Sequence, residues 1–153
     1  MERKRIALAG LILFGVALAW NALLHLVLLA KVNALVLHLR RPNQPWVIPT
    51  SLLLTAGIVT LFLLGYLRFS RRPTLREGLT YGLSFGLLAG LLVDLNQFLL
   101  YPIPAKVAAC WFAGGLLEFS FYGILLAKII PPKGPMPESM RSKGPSHRAV
   151  PTR

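Results

Sequence analysis

A glycine stands at every fourth position from Gly78 through Gly82 and Gly86 to Gly90, inside an apolar run that continues to Phe98. The next step of four lands on Asp94. No other stretch restricts the fold as much. A run of this length crosses a bilayer as a helix, which needs ~20 apolar residues. Inside hydrocarbon, apolar side chains gain little by leaving lipid for one another, so helices associate where small residues let backbones approach. Gly78, Gly82, Gly86 and Gly90 therefore predict a helix-packing face. Four residues of α-helix advance about 400°, so this face drifts by about 40° per step. The drift predicts that one straight partner cannot follow the whole ribbon: one helix packs on its first half and another lies nearer Asp94.

The rest of the chain has the same solvent problem. Of its 153 residues, 55% are hydrophobic and 14% charged, with a mean hydropathy of +0.61. A soluble domain of this size cannot hide so much apolar surface, so the solvent is lipid. Apolar runs at about 6–30, 47–67, 78–101 and 105–130 predict an all-α integral membrane four-helix bundle over residues 1–130. Residues 131–153 carry six prolines and five basic residues. They are expected to form a disordered cytoplasmic tail, because they bury too little to offset the entropy of ordering.

Arg3, Lys4 and Arg5 before an apolar run, with Ala17-Leu18-Ala19 inside it, have the form of a secretory signal peptide. The run continues past Ala19 to Leu29, which favours an uncleaved span. Residues 31–46 follow neither a helical nor an extended period, and Pro42, Pro45 and Pro49 interrupt any helix continuing into the next run. Pro49 suits the first turn of the second span, where a missing N–H costs nothing. Trp46 and Tyr66 fit interfacial positions near its ends, and the absence of ionisable residues reads as a lipid-facing wall. Pro102 and Pro104 force a tight turn between the third and fourth spans. The fourth span is thus the expected first partner of the ribbon, through Ala109 and Ala113 or through Gly115, Gly123 and Ala127.

Four crossings bring both termini to one side. That side carries thirteen basic residues: three before the first span, Arg68, Arg71, Arg72 and Arg76 after the second, and six from Lys128 onward. The other side carries Lys31, Arg40, Arg41 and Lys106. Basic loops resist translocation, so the sequence predicts an inner-membrane protein with both termini cytoplasmic. The net charge of +12 is then explained by topology and by anionic lipid headgroups, not by nucleic acid.

Few polar groups interrupt the spans. Asn21 and His25 lie one turn apart on the first, Asp94 and Gln97 one turn apart on the third, and Glu118 falls inside the fourth. With ~1.5 Å rise per residue, Asp94 lies about 8–10 Å inside the outer end of its helix and Glu118 near the midplane. An ionised carboxylate there costs ~2.5–3.5 kcal/mol on insertion scales, so it must pair, meet water or carry a proton. These five residues form a candidate intramembrane polar pocket, with Trp20, Phe98, Trp111 and Tyr122 as walls. The competing reading is a hydrogen-bonded knot that fixes helix register. The first and third spans also share a loose pattern, glycine early and polar residues late (Gly15, Asn21 and His25; Gly90, Asp94 and Gln97), as duplicated halves of small transporters do.

No metal or cofactor is expected. A zinc site needs several close His or Cys ligands, whereas His25, His38, Cys110 and His147 are scattered. The four-helix plan is similar in size to the small multidrug transporters and to the microsomal glutathione and eicosanoid enzymes. The former carry their glutamate in the first helix, and here Glu118 is in the fourth. The helix-two Arg/His/Asn/Glu pattern of the latter is absent from Val47–Leu67, so no residue role carries over. The functional expectation is a small accessory or partner-binding membrane protein, alone, as a homo-oligomer or with another membrane protein. The alternative is a proton-linked small-molecule transporter using an intramembrane carboxylate.

Overall fold

A computed structural model describes residues 2–39, 44–70 and 74–130. The expectations for the tail at 131–153, and for Arg40, Arg41, Pro42, Arg71 and Arg72, lie outside the described residues. Those described are almost wholly helical: α1 (Glu2–Ala22), a π-helical segment (Leu23–Leu28), α2 (Ala30–Ala34), a 3₁₀ turn (Leu37–Leu39), α3 (Val47–Phe69), α4 (Leu75–Gly90), a second π-helical segment (Leu91–Leu95), α5 (Asn96–Leu100) and α6 (Ala105–Ile129). Four stretches are long and apolar enough to span a membrane: Arg3–Leu28, Val47–Phe69, Leu75–Leu100 and Ala105–Ile129. The chain is a multi-pass, all-α membrane protein.

Local chemistry sets the boundaries. Thr74 caps α4, its hydroxyl accepting from the Glu77 N–H at 3.2 Å, at a Thr-Leu-Arg-Glu sequence of the capping-box form. Pro49 occupies the first turn of α3. Ser51, Thr55 and Thr60 return their hydroxyls to the carbonyls of Val47, Ser51 and Ala56 at 2.7–2.9 Å, so α3 exposes them without an unsatisfied polar group. Tyr101–Pro104 forms the tight turn expected of Pro102 and Pro104, closed by Ile103 N–H to Tyr101 O at 2.7 Å. The 31–46 connection begins as helix and passes into a 3₁₀ turn at Leu37–Leu39. Its Val36 is buried against Ile103 and Val107, which docks the connection on the turn between the third and fourth spans.

The glycine ribbon packs on α6, antiparallel to it. A Cβ at Gly78 would strike the Gly123 carbonyl, and one at Gly123 would strike the Gly78 carbonyl. At Gly82 it would meet the Phe119 carbonyl and lie 2.8 Å from Ser120 Cα, and at Gly86 it would lie 3.3 Å from Leu116 Cα. At Gly90 the neighbour is the Phe112 ring, 2.7 Å away at Cε2. The expectation of two successive partners is therefore corrected: one helix follows all four glycines. The gap widens from backbone contact at Gly78 and Gly82 to side-chain contact at Gly90, where a long ring reaches around the drift. The π turn at Leu91–Leu95 then takes back part of the rotation, because a wider turn advances less per residue. Of the two faces foreseen on α6, the one with Gly123 and Ala127 is used, and Ala109 and Ala113 face outward.

The second span presents Ile48, Leu53, Leu54, Leu61 and Leu64 outward, as expected of a lipid-facing wall, and a correction concerns its other face. Val59, Phe62, Leu63 and Tyr66 of α3 are core residues, packed on Ala9, Leu13 and Ala17 of α1 and on Phe119, Tyr122 and Leu126 of α6. Tyr66 is 1% exposed and belongs to this core, not to the interface. Phe62, Tyr66, Tyr81, Phe85, Phe119 and Tyr122 form one aromatic cluster, with Phe62–Phe85 and Phe119–Tyr122 near edge-to-face at 5.0 and 5.6 Å. Ala9 and Ala17 of α1 are buried in the same core. Periodicity alone does not distinguish such a face from a lipid-facing one, because both are apolar.

Candidate functional site

The polar residues concentrate toward the ends of the spans farthest from the N-terminus. Glu118, one turn before Tyr122 on α6, accepts a hydrogen bond at Oε1 from the Tyr122 hydroxyl and another from Asn21 Nδ2 on α1 at 3.2 Å. Asn21 also bonds back to Ala17 O at 3.0 Å. This knot ties the first span to the fourth. A second knot lies beyond it. Asn33 on α2 gives Nδ2 to the His25 carbonyl at 3.0 Å, lies 3.3 Å from His25 Nδ1, and takes the Trp111 indole N–H on Oδ1 at 2.8 Å.

Two cavities share a boundary at His25, Gln97 and Trp111. The inner one, about 370 Å³, has Asp94 and Glu118 in its wall, with Gly86 and Gly90 on its border with α6 and Gly115 where the absence of a side chain leaves room. The other, about 560 Å³, is lined also by Asn33, Val36 and Tyr101. It lies toward the turn between the third and fourth spans. The α1 and α4 helices each turn π-helical beside this space. His25 lies within Leu23–Leu28 and Asp94 within Leu91–Leu95. The Leu29 N–H reaches back five residues to Leu24 O at 2.7 Å. Such π segments inside α-helices are uncommon and recur at functional sites. The first and third spans, whose polar patterns are loosely alike, both carry one.

Asp94 differs from Glu118. It is half-buried and has no hydrogen-bond or ion-pair partner among the described residues. Gln97, one turn on, reaches both cavities.

The structure brings His25, Asp94, Gln97, Glu118 and Trp111 to one cavity. Asn21 and Tyr122 stand behind Glu118 and hold it. The other two expected walls lie elsewhere. Trp20 does not line the cavity, and its indole nitrogen is buried with no partner among the described residues. Phe98 lines a separate, outward-facing apolar groove with Leu91, Leu95, Ala105, Ala108 and Phe112. Asn33 escaped the sequence reading because it sits beyond the apolar run. Its spacing of eight from His25, two helical turns, was the available signal.

No protein-family model matches the chain, and no curated protein or solved structure is similar to it.

Proposed function

We propose that this chain is a small inner-membrane protein that binds a small solute in the intramembrane cavity and moves it in exchange for protons. One observation carries the reading: Asp94 lines a cavity of about 370 Å³ in the spanning region and has no protein partner among the described residues. Structural carboxylates inside a bilayer pair with other side chains, as Glu118 does. A carboxylate left without such a partner holds either a proton or a ligand, and that exclusion is the basis of exchange. Glu118, tied to two helices, is the group through which occupancy of the cavity alters their packing.

Both termini are assigned to the cytoplasm from the thirteen-to-four distribution of basic residues. With Cys110 replaced by Ala, a cysteine placed at the exposed Arg76 should react with an impermeant thiol reagent only from the cytoplasmic side. The basic loops and tail hold anionic headgroups at ~1 kcal/mol per residue near the surface, and high salt should release a tail peptide from anionic vesicles.

Transport is tested with proteoliposomes containing a pH dye and a panel of small solutes from every charge class. At least one solute should drive a pH change that Glu118→Gln and Asp94→Asn abolish while melting temperature is retained. If no solute of any class moves protons, the reading is wrong. A second reading, an accessory subunit packed on another membrane protein or on a second copy, is favoured by the outward apolar groove beside Phe98, about 390 Å³ in volume. Ala109→Trp would fill that groove. Loss of a co-purifying protein or of self-association, with the cavity unaffected, would support this second role.

A further inference from the structure

Resting on the reading that the inner cavity binds a solute, we infer that its ligand is a small organic monocation with an apolar body, seated between the Asp94 carboxylate and the Trp111 ring. The charge of the wall decides the sign. Among the described residues, two carboxylates, Asp94 and Glu118, and one imidazole line the cavity, and no Lys or Arg does. An anion there would face uncompensated repulsion in a medium that screens poorly.

The donor geometry decides between a metal ion and an organic cation. Among the described residues, no three His, Cys, Asp or Glu side chains come together as a ligand set for a metal ion. Asp94 and Glu118 share a wall, and Glu118 Oε1 is already taken by Asn21 and Tyr122. A carboxylate and an indole lining one cavity suit a diffuse cation, which a carboxylate and an aromatic face both attract. Leu24, Val93 and Phe119 complete a mostly apolar wall, so the rest of the ligand is apolar.

The larger cavity adjoins this site at His25, Gln97 and Trp111. Trp111 is fixed there by its N–H to Asn33 at 2.8 Å, which makes Asn33 a positioning residue.

The test uses the full chain in nanodiscs of zwitterionic lipid and three probes of similar shape: benzyltrimethylammonium, the neutral 2,2-dimethylpropylbenzene and the anion benzenesulfonate. Calorimetric titration should show saturable binding of the ammonium probe alone. Asp94→Asn should weaken it by about tenfold or more, as removing one partner of a desolvated charge pair does. That variant should fold, because Asp94 makes no hydrogen bond among the described residues. Trp111→Leu should weaken binding and Trp111→Phe should restore part of it. Preference for the neutral or anionic probe, no binding of any probe, or ammonium binding unchanged in Asp94→Asn would each overturn the inference. Ammonium binding without any proton movement would leave the ligand class standing and overturn transport. Proton-coupled movement of an anion would do the reverse.

Discussion

The half of the bundle nearest the N-terminus and the half farthest from it are built from the same four helices and pack in opposite ways. In the near half, Gly78 and Gly82 press against the backbone of Gly123 and Phe119, and six aromatic rings fill the space among α3, α4 and α6. In the far half the contact loosens to side chains at Gly90, and Gly115 opens space instead. Gly115 borders the inner cavity, and a Cβ there would meet nothing within 4 Å. Two π turns and two hydrogen-bonded knots stand where the rings stop. A glycine in a membrane helix thus closes a contact or leaves a hollow according to what its neighbour helix presents. The solid half gives the hollow half a fixed frame.

The largest expected effect tests the solid half. Gly123→Val places side-chain atoms in the carbonyl of Gly78, and overpacking of this kind costs ~1–3 kcal/mol or more. Most of the folded protein should be lost in detergent, as followed by fluorescence-detected size exclusion. Gly115→Ala, eight residues earlier on the same helix, should leave the melting temperature unchanged. Equal effects from the two would erase the contrast between the halves.

Next comes the knot between them. Glu118→Leu leaves the Asn21 amide and the Tyr122 hydroxyl without their acceptor, a penalty of about 1–3 kcal/mol. Glu118→Gln retains an acceptor oxygen and should recover most of it in thermal melts. Identical losses would mean that the carboxylate holds no helices together.

A smaller effect sharpens the account of the near half. The Tyr81 hydroxyl donates to Phe62 O at 3.0 Å and fills the place of a side chain at Gly65. Gly65→Ala should destabilise, and Tyr81→Phe should cost about 1 kcal/mol. The double variant should be more stable than the two losses added, with a coupling of roughly 0.5–3 kcal/mol. Simple additivity would place Tyr81 away from Gly65.

The smallest effect belongs to the far half. Asn33→Ala should cost well under ~1 kcal/mol, in line with average interhelical hydrogen bonds in membranes. With Trp20 and Trp46 replaced by Phe, it should still shift the Trp111 emission, because the indole loses its acceptor. An unmoved spectrum would show that Trp111 is not held by Asn33.

Hydropathy and glycine spacing by themselves determined four membrane-spanning helices, the tight turn at Pro102 and Pro104, and the pairing of the ribbon with the fourth span. These follow from the solvent and from local sterics, which every residue reports independently of its partners. His25, Asp94, Gln97 and Glu118 were also legible as a group, since polar side chains inside apolar runs are few and costly. Tertiary structure alone decided that Phe62 and Tyr66 face the core instead of lipid, that one helix follows the whole ribbon, and that Asn33 joins His25 to Trp111. It also decided which carboxylate is tied and which is bare. Those outcomes depend on helix rotation, and a single π turn redirects every residue beyond it without leaving a mark in composition or period.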